Sequence, residues 1–173
     1  MMSLPPELFT APTAVPPHIS FRLAQEADRR PLHAACYAEQ TAYQFQDLFN
    51  HGLRFQAQGR CFWLVITAHD RIIGNGQLVI YPGGAECANL FVVPEYRGQG
   101  IGMALVGVLT AVACHQQVTG LEIGVTTDNP RALALYQRLG FEEERRLHLP
   151  NSKPAIILHK DLTTSRRFLT SGR

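Results

Sequence analysis

The chain has 173 residues, of which 46% are hydrophobic and 17% are charged, and its formal net charge is +2. This length suits one domain with a sizeable core, and the composition is globular rather than disordered. The net charge is too small to indicate nucleic-acid binding by itself. No apolar run approaches the length of a membrane span, and the N-terminus lacks the basic start and apolar core of a signal peptide.

The first half of the chain predicts an irregular arm, a strand, two helices and then three strands. Residues 1–17 are rich in proline and predict the irregular arm. Alternation of apolar and polar residues over 18–23 predicts the first strand. The helices are expected at 25–40 and 41–58, and the next strands at 61–67, 72–81 and 86–93.

The second half alternates between helices and strands. Apolar residues recur on one helical face from Ile101 to Val112. The later elements are expected at 121–126 (strand), 130–139 (helix), 141–148 and 155–160 (strands), before a mobile tail at 163–173. A strand–helix–strand crossover over 86–126 makes its two strands parallel, while the hairpins make the other pairs antiparallel. The sequence therefore predicts an α/β domain with a mixed sheet.

A glycine-rich turn between the strand at 86–93 and the long helix is the most informative motif. Gly98, Gly100 and Gly102 leave room for a ligand to approach the backbone. The first N–H groups of the following helix have no internal partners and lie at the positive end of its dipole. Such a turn favours phosphate or pyrophosphate, and Arg97 adds a positive charge. Neither a P-loop nor a Rossmann fingerprint fits these residues.

Two motifs resemble those of the GNAT superfamily of N-acetyltransferases. The pattern Arg-x-x-Gly-x-Gly at 97–102 is similar to the family's pyrophosphate loop. The pattern Asn-x-x-Ala-x-x-x-Tyr from Asn129 to Tyr136, followed by Gly-Phe, is similar to its second hallmark. The resemblance implies a GNAT-like acyl-CoA N-acyltransferase fold over 18–162. That fold has a central, mostly antiparallel sheet with a splayed parallel strand pair and helices on both faces.

The resemblance also implies an activity. An enzyme of this kind moves the acetyl group of acetyl-CoA directly to an amine of a small molecule, amino acid or peptide, with no covalent enzyme intermediate. Acetyl-CoA is then the co-substrate, no metal is needed, and we expect a cytoplasmic protein without nucleic-acid or membrane partners. The resemblance allows a homodimer, which is common in the family. The alternatives are a non-catalytic acyl-CoA sensor of the same fold and an acyltransferase for a longer acyl-CoA.

The resemblance assigns the cofactor to the strand before the glycine-rich turn, to the turn itself and to the second motif. The strand backbone would pair with the pantetheine arm, and one of its N–H groups would polarise the acetyl carbonyl. The expected cofactor contacts are Leu90, Phe91, Val92, Arg97, Gly98, Gln99, Gly100, Ile101, Gly102, Asn129 and Tyr136. Asn129 also suits a helix N-cap, and the two roles are compatible.

Two residues are expected to carry the acid–base chemistry. Tyr136 matches the position at which many family members place the general acid for the CoA sulfur, and it can at least donate a hydrogen bond. Glu86 lies eleven residues before Arg97, which is the spacing of the catalytic glutamate in some protein-lysine acetyltransferases of the family. Enzymes that modify protein N-termini carry a glutamate where this chain has Gly124. Glu122 and a chain of waters therefore stay open as alternative bases.

The remaining chemistry-bearing residues indicate no further site. The four cysteines form no Cys-x-x-Cys pair and lie apart from any histidine cluster, which favours reduced thiols over a metal site. A covalent route through Cys87 would need an activating base. Acceptor sites in the family draw on the early helices, here about 25–58, and on the last hairpin. The few carboxylates we noted there, mainly Glu39 and Asp47, disfavour polyamine and aminoglycoside acceptors.

Overall fold

A computed structural model describes residues 4–10, 15–148 and 153–163. The strands are β1 (Ile19–Leu23), β2 (Cys61–Ala68), β3 (Arg71–Tyr81), β4 (Gly84–Val92), β5 (Gly120–Thr126), β6 (Glu142–Leu147) and β7 (Ala155–Asp161). The helices are α1 (Arg29–Cys36), α2 (Ala42–Ala57), α3 (Ile101–His115) and α4 (Pro130–Arg138). Short 3-10 turns lie at Pro6–Phe9, Glu26–Asp28 and Pro94–Tyr96.

The strands form one sheet in the order β1-β2-β3-β4-β5-β7-β6. Its neighbouring strands run antiparallel except β4 and β5, which run parallel because α3 crosses over between them. The mixed α/β fold class and the element order predicted from the sequence are therefore confirmed. The hairpin between β2 and β3 turns at His69 and Asp70, both with positive φ, 47° and 63°.

The helix predicted over 25–40 was too long. The chain forms a 3-10 turn at Glu26–Asp28, and α1 then ends at Cys36. Pro31 fits within the first turn of α1, because the first N–H groups of a helix have no internal acceptor. Residues 37–40 form a turn in which the N–H of Gln40 donates to the Tyr37 carbonyl at 2.9 Å.

Two hydrophobic clusters pack on opposite faces of the sheet. The buried strand β2 alternates between them: Leu64 and Ile66 join a cluster that includes α3, while Trp63 and Val65 join one that includes α1 and α2. A Cβ at Gly52 of α2 would lie 2.5 Å from the Trp63 ring, so only glycine lets this helix approach the sheet so closely. Helices on both faces match the expectation.

The described part of the N-terminal arm packs on the α3 side of the sheet. Leu4 and Val15 are each 7% exposed and belong to the same core cluster as α3. Most of the tail predicted at 163–173 lies outside the described residues. The division into an arm at 1–17, a domain at 18–162 and a tail at 163–173 stays a prediction.

Candidate active site

A cavity of about 630 Å³ lies where β4 leaves β5, between the N-terminal turns of α3 and the helix α4. Ten of the residues expected to contact the cofactor line it: Leu90, Phe91, Val92, Arg97, Gly98, Gly100, Ile101, Gly102, Asn129 and Tyr136. Gln99 is not among the lining residues. Its side-chain amide instead donates to the Glu95 carbonyl at 3.4 Å.

The glycine-rich turn forms one wall of the cavity. Gly98 and Gly100 have φ values of +81° and +78°, a left-handed conformation that glycine adopts without strain. Gly100 is the N-cap of α3, and no side chain caps that helix. Because the first N–H groups of a helix lack internal acceptors, this end of α3 is suited to bind an anion.

Arg97 connects the glycine-rich turn to the end of β4. Its Nε donates to the Val92 carbonyl at 2.8 Å, and its guanidinium lies 5.5 Å from the centroid of the Phe91 ring. The side chain therefore fixes the turn against the strand, a role that the sequence did not indicate. Its charge still lies at the wall of the cavity.

Two further arginines, Arg131 and Arg138, line the cavity from α4. Sequence reasoning missed them, although their i, i+7 spacing after Asn129 places both on one face of the helix. Arg131 Nη2 lies 3.6 Å from the position that a Cβ would take on Gly98. Among the residues described as lining the cavity there are three arginines and no carboxylate, so its potential favours a polyanion.

A β-bulge opens the strand that forms the floor of the cavity. Gln77 of β3 pairs with Ala88, and Asn75 pairs with Phe91, which leaves Asn89 and Leu90 together opposite one residue. Asn89 has a φ of +53°. Strand β4 pairs with β5 only over 85–87, so the backbone at 90–92 has no β5 partner and lies against the cavity. The splayed parallel pair is confirmed.

Tyr136 lines the cavity from α4 and is half-buried. Burial raises the pKa of Tyr136 to about 12, and the neighbouring Cys87 thiol adds to the shift. The hydroxyl therefore stays protonated at physiological pH and can donate a hydrogen bond. It makes none to a residue within 4–10, 15–148 or 153–163, and its ring centroid lies 6.4 Å from that of Phe141.

Glu86 lies on the other face of β4 and does not line the cavity. The side chains of Ala85 and Cys87 belong to the core on the α3 side, so the Glu86 side chain points to the α1 and α2 side. Partial burial and the neighbouring charge of Glu122 raise the pKa of Glu86, which Arg145 partly opposes. A raised pKa makes this carboxylate a better proton acceptor than an ordinary glutamate.

Glu122 is the partner of Glu86 in the parallel register, but it is already paired. Arg145 of β6 donates to both of its carboxylate oxygens, each at 2.9 Å. These hydrogen bonds lower the pKa of Glu122. Gly124, the position matching the other family glutamate, is exposed two residues further along β5.

Asn129 caps α4, since its side-chain oxygen accepts a hydrogen bond from the Ala132 N–H at 3.1 Å. Its place in the cavity wall leaves cofactor contact open as well.

Cys87 is buried, and burial followed by the charge of Glu86 raises the pKa of its thiol to about 12. A thiol with this pKa is a poor nucleophile. In the described part of the chain, His, Cys, Asp and Glu side chains form no group that could hold a metal.

Comparisons of the sequence with known proteins agree on one family. The model of the Acetyltransferase (GNAT) family matches residues 22–141. The ribosomal protein bS18-alanine N-acetyltransferase of Salmonella typhimurium is 32% identical over 133 residues, which cover 73% of this chain and 88% of that protein. An uncharacterized N-acetyltransferase of Methanocaldococcus jannaschii is 40% identical over 60 residues, which cover 35% of this chain. The chain spans 26% of that archaeal protein and less than two thirds of two other curated relatives.

Solved structures show the same fold. The ribosomal L7/L12 alpha-N-protein acetyltransferase RimL, in complex with coenzyme A, superposes with a TM-score of 0.74 at 15% identity. The superposition covers 85% of this chain and 96% of that one.

In the described ranges, none of the helices combines the length and apolar character needed to cross a membrane.

Proposed function

The chain belongs to the GNAT acetyltransferase family, and from this premise we propose that it transfers the acetyl group of acetyl-CoA to an amine. The acceptor is an amine of a small molecule, an amino acid or a peptide, and the transfer is direct. The observation that carries the proposal is one cavity that combines an uncapped helix N-terminus, three arginines, a strand backbone without a partner on its β5 side and the Tyr136 hydroxyl.

The residues of the cavity fit acetyl-CoA. The N-terminus of α3 and the arginines suit the pyrophosphate, and the β5-facing backbone of 90–92, which has no partner strand, suits the amides of the pantetheine arm. One N–H group of this segment would donate to the acetyl oxygen, where negative charge develops during transfer. No metal or covalent enzyme intermediate is needed.

Tyr136 stabilises the leaving thiolate. A phenol with a pKa of about 12 holds its proton more firmly than a thiol, whose ordinary pKa is about 8.5. The hydroxyl therefore serves better as a hydrogen-bond donor to the sulfur than as a source of a fully transferred proton. This donor lies on the α3 side of the sheet, together with the cavity.

Glu86 accepts the proton of the amine from the opposite side of the sheet. A free amine has an ordinary pKa near 10 and is mostly protonated at neutral pH, so it must lose a proton before attack. Glu86 is the better base of the two neighbouring carboxylates because Glu122 is paired with Arg145. The acceptor then reaches β4 from the side of α1 and α2.

The face of the sheet from which the acceptor approaches, the side of α1 and α2, carries more carboxylates than the few noted on the early helices. Glu86 and Glu122 are neighbours in the sheet, and Glu142 pairs with His159, which itself pairs with Glu122. These side chains favour an acceptor with positive charge. We keep peptide and small-molecule amines together as the proposed class, in a cytoplasmic protein without nucleic-acid or membrane partners, and a homodimer stays a prediction.

The test is release of the CoA thiol from acetyl-CoA, measured with pools of peptides, amino acids and polyamines at saturating acetyl-CoA. We expect release above the background without acceptor in at least one pool. Binding of acetyl-CoA without release in any pool would favour the sensor of the same fold. Release with butyryl-CoA or a longer donor, but not with acetyl-CoA, would favour the longer-chain acyltransferase.

A further inference from the structure

A side-chain hydrogen bond lies at the bulge where β4 leaves its parallel neighbour. Nδ2 of Asn89 donates to Oε1 of Gln77 at 2.9 Å. Gln77 is 5% exposed and lies on β3, so the packing of the sheet fixes its side chain. Asn89 is exposed and has left-handed backbone, with a φ of +53°. The bond therefore ties the one left-handed residue described within β4 to a rigid neighbouring strand.

The left-handed conformation of Asn89 is what makes the bulge. A residue with a Cβ adopts positive φ at a cost, although asparagine tolerates it better than most. If Asn89 returned to extended backbone, the extra residue of the bulge would be lost and the register with β3 would shift by one. A one-residue shift turns every following side chain to the other face of the sheet.

The absence of a side chain at Gly76 of β3 suits the bulged form. A Cβ at Gly76 would lie 2.7 Å from Leu90 Cδ2 and 2.9 Å from Leu105 Cδ2. The missing side chain therefore makes room for Leu90 to pack towards Leu105 of α3 in the bulged register. The bulge, Gly76 and the hydrogen bond from Asn89 to Gln77 act on the same segment of β4.

We propose that Asn89 and Gln77 are positioning residues for the cofactor. Their hydrogen bond holds β4 in the bulged form, in which the backbone of 90–92 has no partner on its β5 side and is available there to the pantetheine arm. This inference rests on the proposed function, because it assigns this backbone to acetyl-CoA. The free protein then divides between a bulged form, which binds acetyl-CoA, and a relaxed form, which does not bind it.

This division predicts a particular kinetic signature. The apparent dissociation constant equals the intrinsic one divided by the fraction of protein in the binding form. Loss of the hydrogen bond lowers that fraction and weakens acetyl-CoA binding. Saturating acetyl-CoA draws the whole population back into the bulged form, so kcat changes little while the KM for acetyl-CoA rises.

The experiment compares three variants in the full chain, Asn89→Ala, Asn89→Gly and Gln77→Met, by calorimetric titration with acetyl-CoA and by steady-state kinetics. Asn89→Ala should weaken binding about tenfold, since it loses the amide and disfavours positive φ. Gln77→Met keeps a similar length without an acceptor and should weaken binding about fivefold. Asn89→Gly adopts positive φ freely and should bind more tightly than Asn89→Ala. The kcat should change less than about twofold in all three.

A matched control separates positioning from general strain. Gln117 has a φ of +62°, is exposed and follows the end of α3 that is remote from the glycine-rich turn. Gln117→Ala should lower thermal stability as Asn89→Ala does, yet bind acetyl-CoA within about twofold of the wild type. The double variant Asn89→Ala with Gln77→Met should bind no more weakly than Asn89→Ala alone, because both changes remove the same bond.

Two results would overturn the inference, and they differ from each other. If wild type binds acetyl-CoA and folded Asn89→Ala and Gln77→Met bind it equally well, the proposed function stands and the positioning role is wrong. If the wild-type chain binds no acetyl-CoA, both proposals are wrong. Should Gln77→Met fail to fold, the comparison of Asn89→Gly with the wild type decides, because glycine keeps the positive φ and lacks the amide, and replacement of the exposed Asn89 leaves no cavity in the core.

Discussion

Glu86 and Glu122 lie side by side on the parallel strands β4 and β5, and they differ in their partners. Arg145 binds both carboxylate oxygens of Glu122, whereas Glu86 forms no ion pair with any residue in the described ranges. Hydrogen bonds from Arg145 lower the pKa of Glu122, while burial and the charge of Glu122 raise the pKa of Glu86. The carboxylate without a partner is therefore the stronger base.

Replacing the proposed base should reduce the rate and leave the cofactor in place. We expect Glu86→Gln to lower kcat by about 100-fold or more at saturating acetyl-CoA. Because Glu86 lies outside the cavity, the dissociation constant for acetyl-CoA should stay within about twofold of the wild type. Glu95→Gln, which removes the same charge from the exposed turn, should retain the wild-type rate. Wild-type kcat in Glu86→Gln would assign the base to another group.

The pH dependence tests the same assignment through its neighbour. The rate should fall on the acid side as Glu86 takes up a proton, and its raised pKa places this limb above the ordinary glutamate value of about 4.3. Glu122→Gln removes the negative neighbour that raises the pKa of Glu86 and frees Arg145, which lowers it. The acid limb of kcat/KM should therefore move to lower pH. An unmoved limb would mean that another group titrates.

Tyr136→Phe should separate chemistry from binding. The ring keeps its place beside Phe141, and the lost hydroxyl no longer donates to the leaving sulfur. We expect kcat to fall about 100-fold and the dissociation constant for acetyl-CoA to change less than about threefold. Because the pKa of Tyr136 is about 12, wild-type activity should show no loss from this group up to about pH 10. Equal rates for the variant would remove Tyr136 from the mechanism.

The sequence was sufficient for features that depend on residues close together in the chain. The glycine-rich turn, the helix that follows it and the N-cap at Asn129 are local patterns, and the structure places them as predicted.

The features that the sequence could not predict depend on pairing between distant segments. The bulge at Asn89 depends on the register between β3 and β4, in which Gln77 pairs with Ala88 and Asn75 pairs with Phe91. The ion pair between Glu122 and Arg145 reaches across the intervening strand β7 and is set by the order of strands in the sheet. Side-chain pairing of this kind follows from topology rather than from local pattern.

A glycine beneath the cavity floor tests how closely β3 and β4 must approach. A Cβ at Gly74 would lie 2.5 Å from the carbonyl oxygen of Phe91, a backbone atom that cannot move without the strand. We expect Gly74→Ala to lower the free energy of unfolding by about 2 kcal/mol or more and to weaken acetyl-CoA binding. Thermal unfolding and titration measure the two effects.

Gly107 supplies the control for that substitution. It is exposed in the middle of α3, and a Cβ there would meet no described atom within 4 Å. Gly107→Ala should therefore raise the free energy of unfolding by up to about 1 kcal/mol, since alanine favours helix over glycine, and leave binding unchanged. Equal behaviour of the two alanine variants would show that β4 is not held by close approach at Gly74.

Asp28 and Arg22 form an ion pair that should make the free energy of unfolding depend on pH. Asp28 is 5% exposed, and its carboxylate accepts hydrogen bonds from Arg22 at 2.6 and 2.7 Å and from the Gln25 N–H at 2.8 Å. Burial acts to raise the pKa of Asp28, but these hydrogen bonds outweigh it, and the pKa is lowered. A lowered pKa means that the pair stabilises the fold fully above the ordinary aspartate pKa and loses its effect as the pH falls through the folded-state value.

The variant Asp28→Asn should therefore be less stable than the wild type at pH 7 and approach it in acid. Because the Arg22 side chain is partly exposed, solvent screens the pair, and we expect a loss of about 1 to 2 kcal/mol at neutral pH. Urea unfolding of both proteins at pH 7 and near pH 3 measures the difference. The exposed pair of Lys153 and Asp128 offers the comparison, since solvent screens it and Asp128→Asn should change stability far less than Asp28→Asn does at pH 7. A gap between wild type and Asp28→Asn that stays constant with pH would show that the amide disturbs packing rather than removing a charge.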